Sequence, residues 1–368
     1  MRVLVVNAGS SSLKLRVVDD DDTVEHSADL PGGPDGLDTS ALAEVLGEWG
    51  PVDVVGHRIV HGGTVFAGAV QISPIVREQL LQLTDLAPLH QPKSLAALDA
   101  VTELMSDVPA VACFDTAFHT SIPAAAATYA VPREWRLRYG VRRYGFHGLS
   151  HDYCARRSAK LIGRPLAGLR IVTAHLGAGA SLAAVLDGCS VDTTMGFTPL
   201  EGLVMATRSG TVDPGLVLWL EEHEHLTPHE VATALEQRSG LLALAGTGDM
   251  REVEAAVERG DPDAVLALDV YTHRLVGAIA SMAAAMGGID VLAFTGGVGE
   301  RSATVRRRAC EKLGFLGVGI DASQGVDGQD RDISGGAAGV RTLVVTARED
   351  LQIAREVRAL LAPWPPPR

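Results

Sequence analysis

The stretch Val3-Leu-Val-Val-Asn7-Ala-Gly9-Ser10-Ser-Ser12-Leu-Lys14-Leu-Arg-Val-Val18 decides how the rest of the chain is read. The apolar run at residues 3–6 predicts a buried strand, and residues 13–18 predict a second. Between them lie Gly9, which is free to take positive φ, and three serines in a row. Such a hairpin turns backbone N–H groups, hydroxyls and the Lys14 ammonium toward one point, which suits phosphate oxygens. An ordinary Ser/Gly turn is the competing reading. Asn7 favours the anion site, because a polar side chain at the end of a buried strand costs energy unless it has a partner such as phosphate or metal-bound water.

The same pattern returns in Arg170-Ile-Val-Thr-Ala-His175-Leu-Gly177-Ala-Gly179-Ala-Ser181-Leu-Ala-Ala-Val-Leu-Asp187. Asn7 falls on His175, Gly9 on Gly177 and Asp19 on Asp187, at one constant offset of 168 residues. A duplicated strand–turn–strand unit, one in each half of the chain, predicts two like domains facing each other with paired phosphate hairpins.

Composition narrows what such a chain can do. At 368 residues two domains are expected, and 46% apolar with 21% charged residues is the balance of a globular protein with ample core. A net charge of −13 argues against a surface for polyanions, so any anion site must be a local cluster of cations, and no nucleic-acid partner is expected. Cys113, Cys154, Cys189 and Cys310 form no CxxC pair, as expected in a reducing compartment. The chain enters a strand at once with no signal-peptide pattern, and no apolar run reaches the ~20 residues of a membrane span. A cytoplasmic protein without membrane association is expected.

Along the chain, residues 52–55 predict a short buried strand that delivers Gly56-His57-Arg58-Ile-Val60-His61-Gly-Gly63. The glycines around two histidines and an arginine read as a loop that brings cationic side chains close to a ligand. Ser73-Pro74 predicts a capped helix with Ile75, Val76, Leu80 and Leu83 on its face, stopping near Pro88, and Leu95, Leu98, Val101 and Leu104 predict another. Residues 110–114 predict a strand ending at Asp115, where open α/β sheets keep their chemistry; a helix cap is the alternative. His147 lies between Gly145 and Gly148 beside Phe146, whereas His26, His223, His225, His229 and His273 read as structural. Residues 192–214 are a long non-periodic run holding Arg208 between Thr207 and Ser209-Gly210, and loops of that length are usually functional. Helices are predicted at residues 216–222, 228–237, 263–286 and 304–313, with Gly246-Thr-Gly-Asp249-Met250-Arg251 opening a further one. A strand at 291–294 leads into Thr295-Gly296-Gly297-Val-Gly299-Glu300, whose glycines allow close backbone approach to a flat or anionic ligand; a plain turn is the alternative. A last strand at 343–345 precedes Glu349-Asp350 and a helix, and the proline-rich tail at 363–367 cannot be helical.

Arg58, Arg208, His90, His147, His175, Asp115, Glu349, Asn7 and Lys14 thus collect at strand ends and in glycine-rich loops. Phosphoryl transfer needs cationic donors around the equatorial oxygens, a magnesium ion held by carboxylate or water, and in-line positioning, and this inventory suits it. A zinc hydrolase is a weaker reading. The HxxxH spacings at His57–His61 and His147–His151 lie in glycine-broken segments, and no HExxH occurs.

The two hairpins resemble the signature hairpins of the acetate kinase family. Gly56-His-Arg-Ile-Val-His-Gly62, Phe114-Asp-Thr-Ala-Phe-His119, Tyr144-Gly-Phe-His-Gly148, Thr198-Pro-Leu-Glu-Gly202, Thr207-Arg-Ser-Gly210 and Phe294-Thr-Gly-Gly297 are similar to its other blocks, in family order and over nearly the whole chain. The resemblance implies an α/β fold of two duplicated ribonuclease-H-like (actin-like ATPase) domains with an interdomain cleft, a plan shared with sugar kinases, heat-shock chaperones and actin. The expected domains are residues 1–119 with 351–368, and residues 120–350, the latter binding nucleotide and forming the interface of a homodimer. It also implies ATP/ADP as co-substrate, Mg²⁺ (or Mn²⁺) as cofactor, and reversible phosphoryl transfer to acetate.

Carried over residue by residue, the resemblance implies that Arg58 and Arg208 clamp the carboxylate and the transferring phosphoryl group. His147 and Arg208 stabilise the transition state, Asp115 orients the attack or the metal, and Asn7 and Glu349 hold the metal. Ser10, Ser12, Lys14, His175, Gly177 and Gly179 line the phosphates, and Asp249, Met250, Arg251, Gly296, Gly297 and Gly299 hold the nucleoside. Val60, Leu89, Phe146 and Pro199 form the apolar acyl pocket. The chain departs from the family pattern in having Ala206 for the usual Gly, Thr211 for the usual Asp, and Glu349-Asp350 for two glutamates. The same resemblance leaves open a propionate or butyrate kinase, a non-catalytic ATP-binding module on the actin plan, and a pyrophosphate-using variant.

Overall fold

The computed structural model describes residues 1–9, 12–31, 38–87, 91–321 and 329–362. These fall into two compact units. The first comprises Met1–Thr120, Gly148–Tyr153 and the segment from Arg348, and the second Ser121–His147 and Cys154–Ala347.

In the first unit, alternating and continuous apolar runs form β1 (Val3–Ala8), β2 (Ser12–Val18), β3 (Val24–Pro31), β4 (Val54–Ile59), β5 (Val70–Gln71) and β6 (Ala110–Phe114). Their order is β3-β2-β1-β4-β6-β5, with β1, β4 and β6 parallel and β2, β3 and β5 antiparallel to their neighbours. The second unit contains β7 (Arg170–Leu176), β8 (Ala180–Leu186), β9 (Cys189–Thr193), β10 (Val291–Thr295), β11 (Arg331–Asp332) and β12 (Arg341–Val344). Read as β9-β8-β7-β10-β12-β11, its sheet repeats the first strand for strand, with β7, β10 and β12 parallel. The duplication expected from the two hairpins is therefore a duplication of whole sheets.

The constant 168-residue offset does not survive the turn. Ala8 pairs with Leu13, whereas Leu176 pairs with Ala180, so the second hairpin closes one residue sooner. Asn7 faces Lys14 across the first hairpin and His175 faces Ser181 across the second. Asp19 and Asp187 are consequently not equivalent positions.

Four expectations need correcting. Gly56-His57-Arg58 is not loop but the body of β4. Gly56 is there for packing: a Cβ would lie 2.7 Å from Ile353 Cγ2 and 2.9 Å from Val357 Cγ2 of the helix Glu349–Leu361, which glycine alone lets settle on the sheet. His57 and His61 are not cationic either, since burial pushes both down to about 4. The helix after Ser73 runs only Pro74–Gln82, with Ser73 Oγ accepting from Val76 N, and gives way to a 3₁₀ turn at Thr84–Leu86. Val76, Leu80 and Leu83 pack inward while Ile75, one residue out of phase with that stripe, is 73% exposed. Finally, Gly296-Gly297-Val-Gly299 opens a helix, Gly296–Arg301, rather than a turn. The edge strand β3 and the strand β9, which takes up Asp192 and Thr193, were not anticipated.

The helix Glu349–Leu361 seats Ile353, Ala354 and Val357 against Val3, Val5, Val54, Val111 and Cys113 of the first sheet. Beside that apolar seam Gln352 Nε2 donates to Asp152 Oδ2 (2.7 Å) and to Glu356 Oε1 (3.1 Å). Burial, reinforced by Asp152 and opposed by the Gln352 hydrogen bond, pushes Glu356 up to about 7. A carboxyl with a folded pKa above its unfolded value holds its proton more tightly in the folded state. Its contribution is intact below about pH 4.5 and is lost as pH rises through 7, an effect of about 3 kcal/mol. Glu356→Gln should therefore gain stability relative to wild type between pH 5 and 7.5, read as the difference in urea midpoints at the two pH values.

Candidate active site

In the first unit the carboxyl ends of the parallel strands β1, β4 and β6 carry Asn7, Arg58 and Asp115. Arg58 Nε donates to Asp115 Oδ1 (3.0 Å) and Nη2 to Oδ2 (2.5 Å), a bidentate fork, while Nη1 donates to Asn7 Oδ1 (3.2 Å). Asn7 Nδ2 in turn donates to Glu349 Oε2 (2.8 Å). Four of the predicted residues thus form one hydrogen-bonded chain, largely out of solvent; the Arg58 and Asp115 side chains are 14% and 2% exposed. Burial disfavours the Arg58 charge, but Asp115 and Glu349 more than offset it and raise its pKa. Burial likewise raises the Asp115 pKa, with Arg58 pulling it down and Glu349 adding to the rise. Asp350 takes no part, because both its oxygens accept from Arg348. Val60, buried, follows directly on β4. Lys14 is exposed on β2 opposite Asn7, and the Ser12 carbonyl accepts from Gly9 N (2.9 Å).

The equivalent strand ends of the second unit, by register, carry His175, Thr295 and Ala347. The arginine and the aspartate of the first unit have no counterpart there, and the cationic groups come from loops instead. His147 has a left-handed backbone (φ 57°), which costs a non-glycine residue roughly 1–3 kcal/mol. Its ring stacks on His175 at 4.4 Å between centroids, and Nδ1 lies 2.9 Å from Ser181 Oγ. Arg208 Nη1 donates to the Pro199 carbonyl (3.1 Å), and burial lowers the Arg208 pKa, with Glu236 countering. Gly179 lies beside both: a Cβ there would sit 3.4 Å from His147 Nε2 and from Arg208 Nη1. Phe146 is buried next to His147.

A cavity of 470 Å³ in the second unit is lined by Gly177, Asp249, Met250, Arg251 and Gly297. Asp249 caps the helix Met250–Glu258, accepting from Arg251 N, and ion-pairs with the Arg251 guanidinium. Gly296 and Gly299 are not among the lining residues: Gly296 packs on the Leu176 backbone of β7, and Gly299 against Ala174 of β7 and Phe294 of β10. Sequence reasoning assigned no role to Glu254, Arg301 and Ser302, which also line the cavity, nor to Ser181. Ser181 was recoverable in principle, as the residue facing His175 just as Lys14 faces Asn7. Ser10, Leu89, His90 and the tail 363–367 lie outside the described residues.

Each unit thus holds a compact set of charged and hydrogen-bonding groups at its loop ends, carboxylate-rich in the first and cationic beside an open cavity in the second. That division suits chemistry on an anionic ligand. Comparison with known proteins agrees. A family model described as the acetokinase family matches residues 36–355. An acetate kinase of Gloeobacter violaceus is 44% identical over 400 residues, covering 97% of this chain and 98% of the relative. Among solved structures, an acetate kinase of Porphyromonas gingivalis superposes with a TM-score of 0.88 at 36% identity, covering 98% of this chain and 99% of that one. A propionate kinase of Francisella tularensis gives 0.90 at 34% identity, covering 96% and 98%. The sheets, the two clusters and these likenesses lead to one assignment: the chain belongs to the acetokinase family.

Proposed function

We propose that the protein is an acetate kinase, transferring the γ-phosphoryl group of ATP reversibly to acetate and giving acetyl phosphate and ADP. The observation that carries this reading is Arg58, gripped by Asp115 and braced by Asn7 at the strand ends of the unit that does not hold the cavity. A module that only bound nucleotide would have no use for it.

Acetate is ionised at neutral pH, so its oxygen attacks phosphorus without a general base. The P–O bond to ADP breaks as the new one forms, and the electron pair leaves on the β-phosphate oxygen. The residues then have electrostatic and positioning work only. Arg58 pairs the carboxylate and the incoming phosphoryl group, and Asp115 keeps its fork aimed. Arg208 and His147 donate to the equatorial oxygens as charge redistributes, His147 being oriented by Ser181 and His175. Ser10, Ser12, Lys14, His175, Gly177 and Gly179 hold the phosphates. Asp249, Met250 and Arg251, with Gly296, Gly297 and Gly299, hold the nucleoside. Val60, Leu89, Phe146 and Pro199 receive the methyl group.

Asn7, Asp115 and Glu349 offer hard oxygen donors in one hydrogen-bonded chain, which fits Mg²⁺ or Mn²⁺ bound through few carboxylates and several waters. Asn7 and Glu349 would hold the ion, which when bound neutralises charge on the phosphates. We further propose the division into residues 1–119 with 351–368 and residues 120–350, a cytoplasmic location, and a homodimer. Exposed Trp135, Leu137 and Tyr139, and exposed Leu216, Leu218 and Trp219, support the last. No described helix is long and apolar enough to cross a membrane.

Hydroxamate trapping of acyl phosphate with ATP–Mg²⁺ tests the reading, with acetate, propionate and butyrate titrated side by side. Acetate should give the highest kcat/KM. The likeness to a propionate kinase favours propionate as the alternative, and a propionate optimum would replace the substrate while leaving the chemistry.

A further inference from the structure

Two irregular segments of the second unit carry the residues assigned to acyl recognition and charge stabilisation. One ends in Phe146 and His147; the other runs from Thr194 through Pro199 to Arg208. Neither has strand or helix to hold it. They are joined by three side chains that touch none of the proposed catalytic groups. The Tyr129 hydroxyl donates to Glu201 Oε2 and accepts from Phe197 N (3.0 Å). Arg143 Nη2 donates to Glu201 Oε1 (2.7 Å), while its Nη1 donates to the carbonyls of Thr194 (3.1 Å) and Met195 (3.0 Å).

Gly196 passes so close beneath this group that an added Cβ would collide with the Glu201 carboxylate and the Tyr129 hydroxyl. Its carbonyl accepts from Tyr144 N (3.0 Å) and Gly145 N (3.3 Å), so the staple closes directly before Phe146. On the other segment it closes at Phe197, two residues before Pro199, whose carbonyl holds Arg208. Burial and the Glu201 hydrogen bond raise the Tyr129 pKa, so the hydroxyl remains a donor at any working pH. A half-buried network of this kind favours one geometry, and removing a member leaves its partners unpaired.

We infer that Tyr129, Arg143 and Glu201 are positioning residues that set chain-length selectivity for the acid, by holding Phe146 and Pro199 at a fixed spacing. This rests on the reading of the protein as a short-chain carboxylate kinase with those two residues as walls of the acyl site. A pocket that discriminates by one methylene has only about 1–3 kcal/mol to work with, and it keeps that margin only if the walls do not yield. Loosening Pro199 also shifts the carbonyl that orients Arg208, coupling selectivity to turnover.

The test compares kcat and KM for acetate, propionate and butyrate in the full-length protein and its Tyr129→Phe variant, with KM for ATP and the thermal midpoint measured alongside. The propionate-to-acetate ratio of kcat/KM should rise about tenfold, with a fall in kcat for acetate and a KM for ATP within twofold of wild type. A loss shared equally by all three acids, or no change, would overturn the inference, since a merely structural role moves no ratio. If Tyr129→Phe does not fold, Glu201→Gln is judged by the same ratio. Wild-type protein that phosphorylates none of the acids overturns the underlying reading and the inference with it. Wild-type activity with an unmoved ratio in the variant overturns the inference alone.

Discussion

Arg208→Ala leaves the protein folded and lowers kcat for acetyl phosphate formation by about 10³-fold or more, the loss typical of removing an arginine that meets a transferring phosphoryl group. The argument is differential. The protein around Arg208 disfavours its charge, chiefly through burial, whereas charge migrating between phosphate oxygens favours it, most of all at the transition state. Stability should change little, because the side-chain contacts to the Pro199 carbonyl and to Met205 Sδ are neutral or soft ones, while its backbone carbonyl still accepts from Met205 N. Steady-state kinetics with circular dichroism check both halves. Near-normal turnover in a folded variant would sink the assignment of Arg208, and Arg208→Lys should recover only part of the loss because a point charge cannot reproduce the fork.

Asp115→Asn has the second large effect, and here stability moves as well. The substitution keeps the shape but strips the charge from a bidentate pair whose members are 14% and 2% exposed. Removing one partner of a buried pair costs about 3–5 kcal/mol, because the other charge stays behind. Glu349 remains near Arg58 and holds the cost toward the lower end. With one side of its fork slackened, Arg58 is no longer aimed, and a misplacement of that kind is worth about 10²-fold in rate. Urea unfolding and kcat together decide. A variant of wild-type stability would mean that Arg58 and Asp115 are not coupled as the geometry indicates. A double-mutant cycle with Arg58→Met isolates the pair from its neighbours.

Much of the candidate site was legible along the chain because its parts are local. An apolar run, a glycine and a cluster of hydroxyls announce a strand–turn–strand hairpin within sixteen residues, and the recurrence of that pattern exposes the duplication. Asp115 was legible for the same reason, as a carboxylate ending a short apolar strand. Gly56-His57-Arg58 misled. Its glycine reads as a loop signal, yet Gly56 is small to admit Ile353 and Val357, side chains some three hundred residues onward. The register slip between the hairpins also escaped, since a one-residue difference in turn length leaves no mark on composition. Tyr129, Arg143 and Glu201 left no pattern at all: they meet across as many as seventy-two residues of sequence.

By itself, then, the sequence determined a list of candidate site residues, the two hairpins, the family and the doubled plan, all of which follow from periodicities and motifs a few residues long. Only the tertiary structure decided that Arg58 is locked to Asp115 and Asn7, that His57 and His61 are neutral, that Gly296–Arg301 is helical, and that a half-buried tyrosine staples the Phe146 and Pro199 segments together. The physical reason is one of range. Backbone propensity and amphipathic pattern act within a turn or two of the chain, whereas burial, close approach and the pairing of charges are set by whatever the fold brings alongside.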